Sequence, residues 1–160
     1  MSTLTLIPDT VDYLVALFKA APTIGGATPP VEVIDGPMPS SGTLPLGLWV
    51  GVDDLVAASR GEDTTAGTSD KSREVFGQGR DETITVYCVA AAWSGNEQDG
   101  YTSVRAAAKG IMTAVEAVVA ADTGAPPTSQ APGVTAAEWR QRPNSGLQVF
   151  VPFEIIYRAL

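Results

Sequence analysis

The sequence predicts an α+β domain, a mixed and largely antiparallel β-sheet of about five strands with two helices packed on one face. Residues 83–89 are rich in β-branched and aromatic side chains, which is typical of a strand. After a turn at residues 93–95, apolar side chains recur at helical spacing from Val104 to Val118. A strand followed so closely by an amphipathic helix indicates that the helix covers the sheet.

Length and composition indicate one domain over residues 1–160. A chain of 160 residues that is 44% hydrophobic can bury a substantial core. Its net charge of −8, from 10 basic and 18 acidic residues, excludes general binding to a phosphate backbone, which requires clustered cations. The single Cys88 cannot form an internal disulfide, and its apolar strand predicts a buried structural thiol.

No targeting segment is expected at the start of the chain. Residues 4–7 are mostly apolar but lack a preceding basic segment, so they do not fit a signal peptide. No apolar run approaches the ~18 residues that a transmembrane helix needs. The expectation is therefore a soluble intracellular protein, or one released by lysis.

The first half of the chain predicts one helix and two strands. Residues 10–21 carry apolar side chains at helical intervals, with Asp9 as the expected N-cap. Residues 31–34 predict a short strand, placed at the sheet edge because prolines flank it. Residues 47–52 predict the next strand.

A long connection follows at about residues 59–80. It is rich in Gly, Ser, Thr and charge, and it is expected to project as an extended loop without structure of its own. Two interpretations stay open, namely a solvated mobile loop and a surface for another protein chain. Its basic and acidic side chains alternate: Arg60, Glu62, Asp63, Asp70, Lys71, Arg73, Glu74 and Arg80.

The second half ends in a predicted hairpin. Residues 135–142 are expected to pair with a final strand over residues 147–158, through a turn at residues 143–146. Every second residue of the final strand from Leu147 is apolar and should face the helices. Pro152 predicts an interruption of pairing on one side of that strand.

The sheet face opposite the helices has no predicted cover. It should carry Tyr87, Val89, Phe150 and Ile156, and exposed apolar sheet surfaces of this kind favour contact with a partner. Interfaces are also enriched in aromatic residues. At least one tryptophan is therefore expected at an interface, from the set Trp49, Trp93 and Trp139.

Catalytic and metal-binding patterns are scarce. The chain has no histidine and one cysteine, which removes the commonest general base and any thiolate zinc site. The segment at residues 77–79 lacks the third glycine of a dinucleotide loop. Asp53 and Asp54 are adjacent carboxylates at the end of a predicted strand, and strand neighbours point to opposite faces, so a shared Mg²⁺ is disfavoured. We expect no enzyme, no metal site and no cofactor.

The order of these elements resembles the tail terminator family of long-tailed bacteriophages, also called tail-completion or head–tail joining proteins. The resemblance covers most of the chain and rests on the N-terminal helix, residues 31–37, residues 81–86, the Ala-rich helix and the closing apolar strand. The segments at residues 51–54 and 93–95 are the most telling.

This resemblance implies a structural virion protein that forms a ring, usually hexameric, at the neck-proximal end of the tail. The ring would cap the tail tube, end its polymerisation and join the tail to the head or neck. Its partners would be copies of itself, the tube protein and the neck stopper protein, with assembly in the host cytoplasm and genomic DNA passing through the lumen without specific binding. The candidate interface or lumen residues are Glu62, Asp63, Asp70, Arg73, Phe76, Tyr87, Phe150 and Ile156.

Three alternatives remain open from the sequence. A sister neck component, such as a stopper or adaptor, would share the composition. A small carboxylate- and Mg²⁺-dependent enzyme would lose turnover on Asp53→Asn. A generic protein-binding module would be monomeric in isolation, and fold analogy alone does not separate these functions.

Overall fold

The structure is a computed structural model, and it describes residues 7–39, 45–73, 80–94, 100–122, 133–136, 138–142 and 147–159. Its elements, in chain order, are α1 (Ile7–Ala20), β1 (Glu32–Asp35), β2 (Leu46–Val50), α2 (Leu55–Ser59), β3 (Gly67–Arg73), β4 (Arg80–Ser94), α3 (Gly100–Ala121), β5 (Gly133–Ala136), β6 (Arg140–Arg142) and β7 (Leu147–Ala159).

The strands form one seven-stranded sheet in the order β1-β2-β4-β7-β5. The long strands β4 and β7 lie at its centre and pair antiparallel from Glu82 opposite Ala159 to Ser94 opposite Leu147. Strand β3 pairs with the first part of β4, and β6 pairs with the start of β7. Among the strands in the described ranges, β1 and β2 are the only parallel pair. The predicted α+β class is confirmed, with more strands than expected and an additional short helix.

Both sizeable helices pack on the same side of the sheet, which we call the helix-covered face. Alternate residues of β4, from Ile84 to Ala92, are fully buried there, as their alternation predicted. The predicted apolar set of β7 is buried on the same face. The helices contribute Val11, Leu14, Val15 and Phe18 from α1, and Val104, Ala108, Ile111, Met112, Val115 and Val119 from α3.

Helix α1 begins earlier than predicted. It starts at Ile7, so Asp9 lies in its first turn and the prediction of Asp9 as N-cap is wrong. Pro8 explains the earlier start, since its fixed φ suits the first turn and its missing N–H has no partner to lose there. The Asp9 carboxylate still lies near the positive end of the helix dipole. None of the helices in the described ranges is long and apolar enough to cross a membrane.

Strand β1 lies at the sheet edge, as its flanking prolines predicted. Strand β2 ends at Val50, two residues before the predicted end. Gly51 has a φ of +86°, a left-handed conformation that breaks the strand. The N–H groups of Gly51 and Val52 both donate to the Tyr87 carbonyl, at 2.8 and 3.1 Å, so the turn is tied to β4 and leads the chain onto α2.

The prediction of an unstructured loop over residues 59–80 is wrong for β3. This strand pairs with β4 from Gly67 opposite Val86 to Arg73 opposite Arg80. Strand β2 pairs β4 only from Cys88 to Ala92, so the earlier part of β4 leaves backbone groups that β3 satisfies. A side-chain hydrogen bond from Ser69 Oγ to Glu82 Oε1, 2.6 Å long, reinforces the pair.

The closing hairpin is confirmed in its pairing and refined in its detail. Two short strands, β5 and β6, pair with β7 in place of one continuous partner. Strand β6 ends its pairing at Phe150 and β5 begins at Phe153, so Pro152 falls between them. Pairing on this side of β7 is therefore interrupted around Pro152, as predicted, whereas pairing with β4 continues with Val89 opposite Pro152. The predicted turn at residues 143–146 lies outside the described residues.

Candidate functional site

The sheet face opposite the helices, which we call the second face, is covered in part by the residues that the structure describes. Here Ile34, Trp49, Val52, Val89 and Ala91 form a separate buried cluster. Helix α2 packs against it through Leu55 and Ala58. The prediction that no element covers this face is therefore wrong around Val89, which is 1% exposed, because a short helix absent from the sequence prediction lies over it.

Beside this cluster the second face contains a cavity of about 610 Å³, which we call the second-face groove. Its floor is apolar and comes from β2, β4 and β7, through Trp49, Val89, Phe150 and Pro152. Residues 37–39 and α2 line one part of it, and β6 lines another. A concave apolar surface of this size with a few polar groups at its margin is typical of a binding site.

Trp49 positions one wall of the second-face groove. A side chain at Gly47 would approach the Trp49 ring to 2.6 Å, so glycine there allows the indole to lie against the strand. The indole Nε1–H donates to the backbone carbonyl of Met38 at 2.9 Å. This bond ties the segment after β1 to β2 and holds Met38, which is 63% exposed, at the groove margin.

Asp54 builds the other wall by starting α2. Its backbone is extended, with φ −142°, and its Oδ1 accepts hydrogen bonds from the N–H groups of Val56 at 2.9 Å and Ala57 at 3.2 Å. This is N-cap geometry, which satisfies two helix donors that would otherwise lack partners. The short helix then places Leu55 and Ala58 against the second face.

Asp53 has a separate structural contact. Its Oδ1 accepts a hydrogen bond of 2.9 Å from the Thr65 N–H, which fixes the chain between α2 and β3. The two adjacent carboxylates thus serve different backbone segments, although both line the groove. Within the part of the chain that the structure describes, no group of three or more His, Cys, Asp or Glu side chains could hold a metal ion.

The groove margin carries charges of both signs. Asp53 and Asp54 lie on the α2 side, and the described side chains supply no ion pair to either of them. Arg140 lies on the β6 side, where its Nε is 4.0 Å from Glu138 Oε2 with both side chains more than half exposed. An exposed ion pair of this length contributes little stability, so Arg140 remains free to take another partner.

Among the predicted interface residues, Phe150 lines the second-face groove. Tyr87 and Ile156 are half-buried residues of the central strands, outside the groove lining. Ile156 pairs with Thr85 of β4 on one side and with Gly133 of β5 on the other, so a neighbouring strand lies on each side of it. Of the four predicted interface residues with apolar or aromatic side chains, three lie in the described ranges, and the structure brings one of these three, Phe150, to the groove.

The predicted charged residues lie away from the groove. Glu62 and Asp63 are exposed after α2, and Glu62 pairs with Arg60 at 3.4 Å. Asp70 is exposed on β3 opposite Thr83. Arg73 ends β3 in register with Arg80. Phe76 lies outside the described residues.

Sequence reasoning missed the main parts of the groove, namely Trp49 as a wall, the Asp54 cap and α2. One signal was present, because an Asp followed by Leu-Val-Ala-Ala is an N-cap before good helix formers. The position of the β6 margin could not be found in this way, since it depends on pairing with β7.

The helix-covered face contains two buried titratable side chains, Cys88 and Tyr157, whose pKa values are raised. Burial raises the pKa of the Cys88 thiol to about 12, and a backbone hydrogen bond from Gly51 acts weakly in the opposite direction. A thiol held protonated in this way is inert, which confirms the predicted buried cysteine. Burial also raises the pKa of Tyr157, whose hydroxyl has no hydrogen-bond partner in the described structure.

Comparison of the sequence with models of known protein families finds no match, and comparison with curated proteins finds none. The functional assignment therefore rests on the second-face groove, the sheet edges and the charge of the chain.

Proposed function

We propose that this chain is a structural virion protein, the subunit of a ring that caps a phage tail tube and joins the tail to the neck. One observation carries the proposal. The sheet places both sizeable helices on one face and leaves an apolar groove of about 610 Å³ on the other. A surface of this kind is typical of a protein that acts by contact with other chains.

The groove chemistry supports contact over catalysis. Its floor is formed by Trp49, Val89, Phe150 and Pro152, none of which can transfer a proton at neutral pH. The carboxylates at its margin hold backbone N–H groups, Asp54 at α2 and Asp53 at Thr65. These bonds assign both carboxylates to the local fold, as expected for a binding surface.

The sheet edges favour contact through side chains over simple sheet extension. The outer strand β1 has only four residues and carries Glu32 and Asp35 at its ends. Short, charged edge strands resist uncontrolled pairing with another sheet. A ring built from such subunits would therefore use the second face, and it would add a fixed number of copies without becoming a fibre.

The acidic character of the chain agrees with passage of DNA. The chain has a net charge of −8, which agrees with an acidic lumen. An acidic lumen would not bind a polyanion, so DNA would slide through it. Glu62, Asp63 and Asp70 are exposed and available to line the lumen or to face a neighbouring ring. The ring would stop growth geometrically, since one of its faces matches the last tube ring and the other does not repeat that surface.

The proposal is tested with a tube-capping assay. The purified chain is added to its phage's polymerising tail tube protein, and tube lengths and ends are measured by electron microscopy. We expect shorter tubes with one extra ring of this chain at a single end. Tubes of unchanged length without that ring would contradict the proposal.

A second measurement separates this role from that of a sister neck component. Cryo-electron microscopy of the intact particle locates the chain directly. The tail terminator role requires direct contact between this ring and the last tube ring. A ring located within the neck without contact to the tube would instead identify a stopper or adaptor and would contradict the capping role.

A further inference from the structure

We infer that Met38 is an oxidation site, at which a peroxide converts the thioether to a sulfoxide and thereby weakens binding at the second-face groove. The oxidation itself follows from the position of one sulfur atom. Its effect on contacts between chains rests on the proposed function, so the two parts are tested by separate measurements.

Met38 carries the accessible sulfur of the described residues. It is 63% exposed, whereas Met112 in α3 is 6% exposed and Cys88 in β4 is 1% exposed. An oxidant dissolved in water reaches a sulfur atom readily only where the side chain is open to solvent. The Cys88 thiol is also held protonated by burial, which removes its reactive form. Of these three sulfur atoms, the structure therefore opens that of Met38 to an oxidant.

The backbone holds Met38 at the margin of the groove. Pro37 and Pro39 flank it, and the ring of each proline fixes its φ. The Met38 carbonyl accepts the Trp49 indole hydrogen bond of 2.9 Å, and Met38 lines the groove together with both prolines. The thioether is therefore a fixed part of the groove margin, and its chemical state determines the polarity of that margin.

The chemical step is a two-electron transfer of oxygen to sulfur. A lone pair of the Met38 sulfur attacks one oxygen of hydrogen peroxide, and the S–O bond forms as the O–O bond breaks. The departing hydroxide takes the proton from the transferred oxygen and leaves as water. Sulfur is oxidised by two electrons and the peroxide is reduced by the same two. The sulfoxide product is returned to the thioether by methionine sulfoxide reductases.

Oxidation changes the character of the groove margin. The thioether is a soft, apolar group that suits contact with aromatic and aliphatic side chains, and it adjoins the apolar floor at Trp49. A sulfoxide oxygen is a polar hydrogen-bond acceptor, and covering it with an apolar partner that offers no donor is unfavourable. Met38 belongs to neither buried cluster, so oxidation should weaken binding at the groove while the sheet stays folded.

The first test measures the rate of oxidation at each sulfur. The full chain is treated with hydrogen peroxide, and peptide mass spectrometry follows the gain of oxygen with time. Met38 should be oxidised about tenfold or more faster than Met112 in the folded chain, because susceptibility follows exposure. Urea should bring the two rates together by unfolding α3. Equal rates at Met38 and Met112 in the absence of urea would overturn the inference.

The second test measures groove binding with Nile red, an uncharged hydrophobic dye. Peroxide should weaken dye binding to the wild type by about tenfold, since a polar group without a donor then faces the dye, and sulfoxide reductases should restore it. Met38→Leu has no sulfur at this position, so its own affinity should be equal before and after peroxide. Met112→Leu should respond to peroxide as the wild type does. Dye binding that survives complete oxidation of Met38, or that is indifferent to Ala58→Arg in the groove lining, would overturn the inference.

Tube capping separates this inference from the proposed function. The oxidised wild type should cap tubes less well than the untreated chain, and capping by Met38→Leu should not respond to peroxide. Capping that is unaffected by complete oxidation of Met38 overturns the inference and leaves the proposed function standing. Dye binding that is lost on oxidation and restored by reduction, in a protein that never caps tubes, supports the inference and contradicts the proposed function.

Discussion

The indole nitrogen of Trp49 donates a 2.9 Å hydrogen bond to the backbone carbonyl of Met38. This bond joins the second strand of the sheet to the segment that follows the edge strand β1. It therefore fixes a wall of the second-face groove that secondary structure alone does not hold. The groove should lose definition when the bond is removed, even if the apolar floor is retained.

Trp49→Phe tests this wall. The substitution keeps an aromatic ring and removes the donor, so the free energy of unfolding should fall by about 1 kcal/mol, the usual net value of one hydrogen bond. Hydrogen exchange should become faster at the backbone N–H of Met38, which lies between two prolines that carry no N–H. Trp93→Phe is the control, because Trp93 packs against the same cluster and makes no indole hydrogen bond in the described chain. Equal effects at both positions would contradict the role of the bond.

Gly51→Ala should lower the free energy of unfolding by more than the cost of a left-handed backbone conformation, because the new side chain also meets α1. Gly51 has a φ of +86°, and an added Cβ would lie 3.0 Å from Val11 Cγ1. A left-handed residue with a side chain costs about 1–2 kcal/mol, and the contact with α1 adds to this. Gly61→Ala supplies the matched control, since its φ is +71° with open space around it. Urea unfolding should show a larger loss for Gly51→Ala, and equal losses would show that the contact relaxes freely.

Asp54→Ala should unwind α2. Two backbone donors, the N–H groups of Val56 and Ala57, lose their acceptor, and removing a cap costs about 1 kcal/mol. Asp54→Asn keeps the acceptor oxygen and removes the charge, so it should retain α2. Chemical shifts of residues 55–59 report the helix directly. A helix that persists in Asp54→Ala would show that packing on the second face, and not the cap, maintains α2.

Alkaline pH should destabilise the protein through its tyrosines. Burial, then the hydrogen bond to Asp122 and the charge of that carboxylate, raise the pKa of Tyr13 from 10.0 to about 12. Its hydroxyl donates to both carboxylate oxygens, at 2.7 and 2.8 Å. Because the folded chain holds the proton more tightly, this stability is complete below pH 10.0 and is lost as the pH rises through about 12.

The measurement for this prediction is the urea midpoint as a function of pH. Tyr13→Phe removes the titrating group, so its midpoint should fall less steeply than that of the wild type at alkaline pH. The variant should also be less stable at neutral pH, since it loses the bond to Asp122. Tyr157 contributes in the same direction, because burial raises its pKa as well. Parallel curves for variant and wild type would rule out the contribution of Tyr13.

Cys88 should be protected from thiol reagents. Its side chain is 1% exposed, so a reagent cannot reach the sulfur in the folded state. Burial also raises the pKa of the thiol to about 12, so the reactive thiolate does not form at neutral pH. The rate of labelling at neutral pH should therefore follow the opening of the sheet and increase with urea. A surface cysteine placed at Ser59, by Ser59→Cys in a Cys88→Ala background, is the matched control and should react at once. Rapid labelling of Cys88 in the absence of urea would contradict the buried position.

The sequence predicted the helix-covered face well because the relevant patterns are local. The alternation of Ile84, Val86 and Cys88 with polar neighbours identified the buried side of β4. The same rule identified the buried side of β7, and helical spacing identified α1 and α3. Each pattern records which side of one element is apolar, and that information is complete within a short segment.

The polar strand β3 was not predicted because its conformation depends on a neighbouring strand and not on a local pattern. Its residues, from Gly67 to Arg73, have little preference for a strand by themselves. The open backbone groups of β4 beside it determine that β3 is extended, and those groups are open because β2 pairs only with the later part of β4. A property that depends on a neighbour's unpaired edge cannot be read from the segment itself.

The sequence alone determined the α+β class, the apolar side of the long strands and the buried thiol. Only the tertiary structure decided that α2 covers part of the second face, and that Trp49, Phe150 and Arg140 meet around one groove. Periodicity reports the environment of one segment, whereas a groove forms where segments distant in sequence converge. That convergence is set by strand order and register, which no single stretch of the chain contains.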